Sequence, residues 1–231
     1  FGSSIEFPAN DMPHILGSLV DASSVEALQI PSMSAGRIPE YILANKRAVE
    51  MISDKPVFAG VIGPFSLAGR LYGMSEIMVD CYLEPDAITL LLEKCSKFIE
   101  DYCLELKKTG CLGVIMAEPA AGLLSNEDCM QFSSIYIKNI IEKVQDESFM
   151  VILHNCGNTG QCTEAMIHTG AKAYHFGNAI SMTDVLKQCP SDTLVMGNID
   201  PVGVLRMMTP NEVEKEVSTL LEQTADYPNF V

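Results

Sequence analysis

Basic residues are scarce in this 231-residue chain: 15 Lys and Arg stand against 30 Asp and Glu, for a formal net charge of -15. Such a surface repels phosphate backbones and anionic lipid headgroups, so neither nucleic acid nor a membrane is an expected partner. Long apolar runs are missing too. No stretch approaches the roughly 20 residues that span a bilayer, and no charged segment followed by an apolar one opens the chain as a secretory signal would. A soluble, cytoplasmic protein is expected. A dense disulfide framework is also lacking: the eight cysteines, from Cys81 to Cys189, are spread through apolar segments and read as reduced, mostly buried thiols. Internal repeats and low-complexity linkers are absent, which leaves a single domain over residues 1–231 as the expectation.

What is present is a core. Apolar residues make up 48% of the chain, and they fall into two kinds of segment. Short continuous runs at residues 57–62, 112–116, 150–153, 171–176 and 193–196 suit strands buried on both faces. Between them, residues 38–53, 87–108 and 127–144 repeat apolar positions every three or four residues, as helices do. The first forty residues carry Pro8, Pro13, Pro31 and Pro39 and are expected to be irregular, with short helical turns. Strands alternating with helices imply βαβ units and a parallel sheet. Each strand is followed by Gly, Pro, Asn, Asp or His, which places polar chemistry at the carboxyl ends of the strands; a (β/α)8 barrel and a doubly wound open sheet both do this.

The sharpest local signal is His154-Asn155-Cys156-Gly157. Side chains two apart on a strand point the same way, so an imidazole and a thiol can converge on one point. Both are ligands suited to zinc, and two from one strand end leave room for a third and for substrate. Read alone, the same four residues also suit a hydrogen-bonded histidine beside an inert thiol. Glu118, at the end of the strand near 112–116, is a candidate zinc ligand, support for His154 or acid/base group, or else an N-cap or solvated loop carboxylate beside Pro119. Gly63-Pro64-Phe65-Ser66 brings backbone close to a strand end, with Phe65 a candidate apolar wall for a flat macrocycle or, equally, a packing residue. His175 and Asn178 follow another strand and are candidate pocket residues. Asn198 and Asp200 are candidates for holding substrate, or else for bonding their own turn.

These motifs together carry a resemblance. His154-Asn155-Cys156-Gly157, preceded by Ile62-Gly63-Pro64-Phe65-Ser66-Leu67-Ala68 and followed by Gly197-Asn198-Ile199-Asp200-Pro201, resembles the zinc-dependent methyltransferases of the uroporphyrinogen decarboxylase superfamily over essentially the whole chain. The resemblance implies a (β/α)8 TIM barrel, incomplete in this chain, with the first strands and the last one outside it. It implies methyl transfer from a methyl-corrinoid, free or on a corrinoid protein, to a small zinc-activated thiol such as coenzyme M. It makes His154 and Cys156 zinc ligands, and it expects a third ligand, a cysteine, on a strand that Phe230-Val231 begins. Partial closure would leave barrel edges exposed for self-association. The decarboxylase branch, which acts on a tetrapyrrole without a metal, is the alternative, as is a non-catalytic barrel that binds a corrinoid or tetrapyrrole. Arg70 replaces the tyrosine that decarboxylases carry soon after their Gly-Pro-Phe motif, and the decarboxylases' N-terminal arginine signature is missing.

Overall fold

The computed structural model describes residues 1–11, 13–17, 19 and 21–231. A short antiparallel hairpin, β1 (Ser4–Glu6) and β2 (His14–Leu16), leads into helices α1 (Ala22–Ala27) and α2 (Ile38–Met51). Then come β3 (Phe58–Ile62), α3 (Pro64–Tyr72), α4 (Met74–Leu83) and the long α5 (Pro85–Lys107). Strand β4 (Gly113–Ala117) precedes a 3-10 turn (Pro119–Leu123), α6 (Asn126–Cys129), a π turn (Met130–Ser134) and α7 (Ile135–Val144). The remainder is β5 (Met150–Asn155), α8 (Thr163–His168), β6 (Ala173–Phe176), α9 (Met182–Gln188), β7 (Leu194–Met196) and α10 (Pro210–Thr224).

All five expected strands form, and they lie in one parallel sheet in chain order, β3-β4-β5-β6-β7. A doubly wound sheet reverses its order at a switch point, whereas sequential order is how barrel staves are laid down. Phe230 continues the series by pairing in parallel with Val195 of β7. The sequence expectation missed the hairpin, whose three-residue strands are too short to show a period of two.

Strand alternation divides the sheet into two faces. Val114, Met116, Val151, Leu153, Tyr174, Phe176 and Val195 are buried against α5, α7, α8 and α9. Helix α5 presents Ile99, Cys103 and Leu106 to this layer, and Ile88, Leu91, Leu92 and Cys95 to a second cluster with α3 and α4. Burying an aliphatic side chain of this size contributes about 1.5–3 kcal/mol, so these interlocked clusters hold the strands in register. On the other face Ile115 remains 42% exposed. No helix among the described residues is long and apolar enough to cross a membrane.

The helix expected over 127–144 is interrupted. Residues 130–134 widen into a π turn, which carries Ser133 and Ser134 inward to buried positions at the back of β4 and β5. Single π turns inside helices commonly serve to re-aim a side chain, and this one aims Ser133 at Glu118.

Candidate active site

The strand registers align one row across the carboxyl ends of the sheet. Ile62 pairs with Ala117, Ala117 with His154, His154 with His175, and His175 with Met196. All five therefore project from the face opposite the helices. Loop hydrogen bonds tie the ends together: Gly63 N–H donates to Ala117 O at 2.7 Å and Glu118 N–H to His154 O at 2.8 Å. Farther along, Asn198 Nδ2 donates to Gly177 O at 2.9 Å.

His154 and His175 meet in this row with their Nδ1 atoms 2.5 Å apart and ring centroids 4.7 Å apart. One ring must donate and the other accept, so the two take opposite tautomers. Burial lowers the pKa of both, and for His154 the neighbouring His175 adds to the effect. Both imidazoles are thus held neutral, with their Nε2 atoms left for other partners.

Cys156 lies two residues beyond His154, in the turn that follows β5, and is exposed. Its loop is fixed by close backbone approaches. Asn155, buried, accepts from Gly157 N–H at 3.0 Å. A Cβ at Gly122 would stand 2.2 Å from the carbonyl carbon of Gly157, and a Cβ at Gly177 would stand 2.7 Å from Cys156 O, so neither position accepts a side chain without movement. The other seven cysteines are buried. Burial pushes Cys81 and Cys103 up to about 12 and Cys189 to about 11. Since the thiolate is the reactive form, a thiol reagent at neutral pH is expected to modify Cys156 rapidly and the other seven only on unfolding. A colorimetric thiol titration that found three or four fast thiols in the folded protein would contradict this.

Glu118 does not share the mouth. Alternation along β4 sends its side chain to the helix side, one residue beyond the cavity-facing Ala117, and it is 1% exposed. Its Oε1 accepts from Phe65 N–H at 2.7 Å and Ser133 Oγ at 2.9 Å, and its Oε2 from Ser66 N–H at 2.9 Å. Burial raises its pKa, opposed by these donors from Ser66, Phe65 and Ser133. The carboxylate caps the positive end of α3 from the helix side of the sheet, which is a structural role. The glycine motif has the same explanation: a Cβ at Gly63 would lie 2.4 Å from Glu118 Oε2, and Pro64 occupies the first helical turn, where no N–H is needed. Phe65 is fully buried among Ala68, Ile77, Leu91 and other core residues, so its ring packs the interior and forms no wall for a ligand.

A family model described as uroporphyrinogen decarboxylase (URO-D) matches residues 1–231. The chain belongs to the uroporphyrinogen decarboxylase family. Among its relatives is a methylcobamide:CoM methyltransferase MtbA of Methanosarcina mazei, 26% identical over 212 residues, covering 89% of this chain and 61% of the relative. A uroporphyrinogen decarboxylase of Legionella pneumophila is 27% identical over 233 residues, covering 95% of this chain and 64% of the relative. The chain thus spans less than two thirds of the length of these curated relatives. A solved methyltransferase from Methanosarcina mazei superposes with a TM-score of 0.86 at 21% identity, over 96% of this chain and 67% of that one. At that identity the likeness establishes the fold: the sheet is a consecutive set of staves of a (β/α)8 barrel, incomplete in this chain.

The remaining family-motif residues divide in the same way. Asn198 Nδ2 donates to Gly177 O and Ile180 O, which ties the β6 loop to the β7 loop. Asp200 Oδ1 accepts from Val202 N–H at 2.8 Å and Gly203 N–H at 2.9 Å, within its own turn. Asn178 is exposed at the rim. His154 and His175 are therefore the site residues that meet on the open face, Cys156 is exposed in the turn after β5, and no group of three His, Cys, Asp or Glu able to hold a metal occurs among the described residues. Ser133 and Asn155 escaped the sequence reading, although a serine at an apolar helical position and an asparagine inside a buried strand each mark a polar group that needs a partner.

Proposed function

We propose that this chain is the part of a cytoplasmic methyltransferase that moves a methyl group from a methyl-corrinoid, free or carried on a corrinoid protein, to a zinc-activated thiol such as coenzyme M. The observation that carries this reading is the pair His154 and Cys156 at one strand end. His154 is neutral, with Nδ1 engaged by His175, and Cys156 is an exposed free thiol. That is the donor chemistry of a zinc site whose imidazole is oriented by a hydrogen bond at its other nitrogen. The two residues supply two donors, and the rest must come from elsewhere. Bound there, zinc would supply deprotonation of a substrate thiol at neutral pH. The transfer forms a sulfur–carbon bond and breaks the cobalt–carbon bond, whose electron pair stays on cobalt. The names of the curated methyltransferase relatives support the same reading.

The decarboxylase relatives support a second reading, in which a tetrapyrrole loses carboxylate groups without a metal. Metal analysis separates the two. Zinc retained through dialysis and lost on mutation of Cys156 supports methyl transfer; a zinc-free protein that turns over uroporphyrinogen supports decarboxylation.

Strand β3 pairs on one side only among the described residues, and Ile115 of the neighbouring β4 is 42% exposed. Unpaired strand edges recruit other strands, so the isolated 231-residue chain is expected to associate as its concentration rises. A mass in light scattering that stayed monomeric over a wide concentration range would count against this.

A further inference from the structure

A cleft of about 940 Å³ opens on the barrel-interior face of β3 and β4, walled by α3 and roofed by the β1–β2 hairpin. Its lining is mainly apolar, with Ile15, Ile62, Met74 and Ile115 contributing side chains. In a chain with a net charge of -15, no Asp or Glu lines this cleft among the described residues, and Arg70 is the one Lys or Arg among them. Among the described lining residues the other ionisable group is His14, whose Nε2 lies 3.2 Å from Asp11 Oδ2. Mainly apolar clefts of roughly 300–1,000 Å³ with a few fixed polar groups are the usual form of a small-molecule site, and the polar groups set the orientation of the ligand. An acidic protein whose described cleft lining holds an arginine and no Asp or Glu has a local preference for an anion that opposes its global charge.

The cleft also adjoins the chemistry. Ala117 lines it, and Ala117 is the register partner of His154, one strand spacing, about 4.8 Å, away. A ligand held at the α3 wall therefore reaches toward the His154–Cys156 end of β5. We propose that Arg70 receives the anionic group, a sulfonate or carboxylate, of the small acceptor molecule whose other end lies at His154 and Cys156. A guanidinium offers two parallel donors to either group. That the cleft takes a small anion stands on its lining alone; that the anion belongs to a thiol acceptor rests on the methyl-transfer reading. A corrinoid's phosphodiester shares the same anion chemistry and is the competing source.

The test uses the 231-residue protein freed of metal with a chelator, so that its outcome is independent of zinc and of turnover. Ethanesulfonate and propionate are titrated in a ligand-detected NMR experiment, with 1-propanol as the neutral control. Both anions are expected to bind saturably and 1-propanol not to. Because a hydrogen-bonded charge contributes about 1.5–3 kcal/mol, Arg70→Gln should weaken anion binding on the order of 10- to 100-fold, and Arg70→Lys by less. Arg47→Gln, on α2 and outside the cleft, should leave binding unchanged. Equal binding by wild type and Arg70→Gln, equal binding of 1-propanol, or no saturable binding of either anion would overturn the proposal. A further titration with cyanocobalamin, which carries a phosphodiester, assigns the source. Ethanesulfonate binding that persists beside bound cyanocobalamin supports the acceptor. Displacement of ethanesulfonate, together with a cyanocobalamin affinity that falls in Arg70→Gln, would overturn the assignment to the acceptor.

Discussion

Replacing Glu118 with alanine is expected to destabilise the protein by roughly 3–5 kcal/mol, because it strands several buried donors at once. The side chain is 1% exposed and serves three donors in two elements: its carboxylate accepts from Phe65 N–H and Ser66 N–H at the start of α3 and from Ser133 Oγ in the π turn. With the acceptor gone, two backbone N–H groups and a hydroxyl lose their partner in a place that water reaches poorly. Gly63→Ala should fail for a related reason, since its Cβ would occupy the space of the carboxylate, 2.4 Å from Oε2. That overpacking costs about 1–3 kcal/mol. The two effects are coupled through one contact, so Gly63→Ala should cost much less in a Glu118→Ala background than alone. Urea denaturation of the four species of this cycle measures the coupling. Strict additivity, or a Glu118→Ala protein as stable as wild type, would show that the carboxylate does not hold α3 in place.

Glu118 also shows what the sequence made legible and what it hid. The five staves could be read because each is a short apolar run closed by glycine, proline or a polar cluster, and the structure places β3 through β7 within two residues of those runs. Parity, by which side chains two apart on a strand share a face, singles out His154 and Cys156 in the sequence, and the structure sets His154 at the end of β5 and Cys156 exposed in the turn after it. The same rule applied one strand earlier puts Glu118 with Val114 and Met116 on the helix side and leaves Ala117 facing the cavity. The attraction of a lone carboxylate at a strand end overrode that parity. The π turn at Met130–Ser134 was hidden for a different reason, since one extra residue in a turn barely disturbs an apolar period of three or four. For Phe65 the sequence leaves a ligand wall and a packing role equally open, because a Gly-Pro turn after a strand does not show which way the next ring points. The structure instead starts a helix there, and the first turn of α3 carries the ring into the core.

His154→Ala and Cys156→Ala are each expected to remove metal retention and to lower methyl transfer by at least about a hundredfold when made in the full-length enzyme, while the fold survives. The size follows from what is lost. A zinc with three protein ligands that loses one falls to two, and ligand or supporting-residue losses at such sites reduce affinity or activity by 10- to 100-fold or more, roughly. The survival of the fold follows from placement. Cys156 is exposed and His154 half-buried on the open face, whereas the clusters that hold the sheet lie on the helix side. Catalytic zinc on a preformed barrel differs in this respect from the metal of a small zinc domain, which supplies the folding energy itself. His175→Gln separates positioning from ligation: it keeps a polar group beside His154 Nδ1 but removes the second imidazole, so it should weaken zinc binding without abolishing it. Zinc stoichiometry after dialysis, the circular dichroism spectrum and the turnover rate, measured on all three variants, decide the matter. Full activity in Cys156→Ala would remove the methyl-transfer reading at its base, and an unfolded His154→Ala would mean that the imidazole pair is part of what holds β5 to β6.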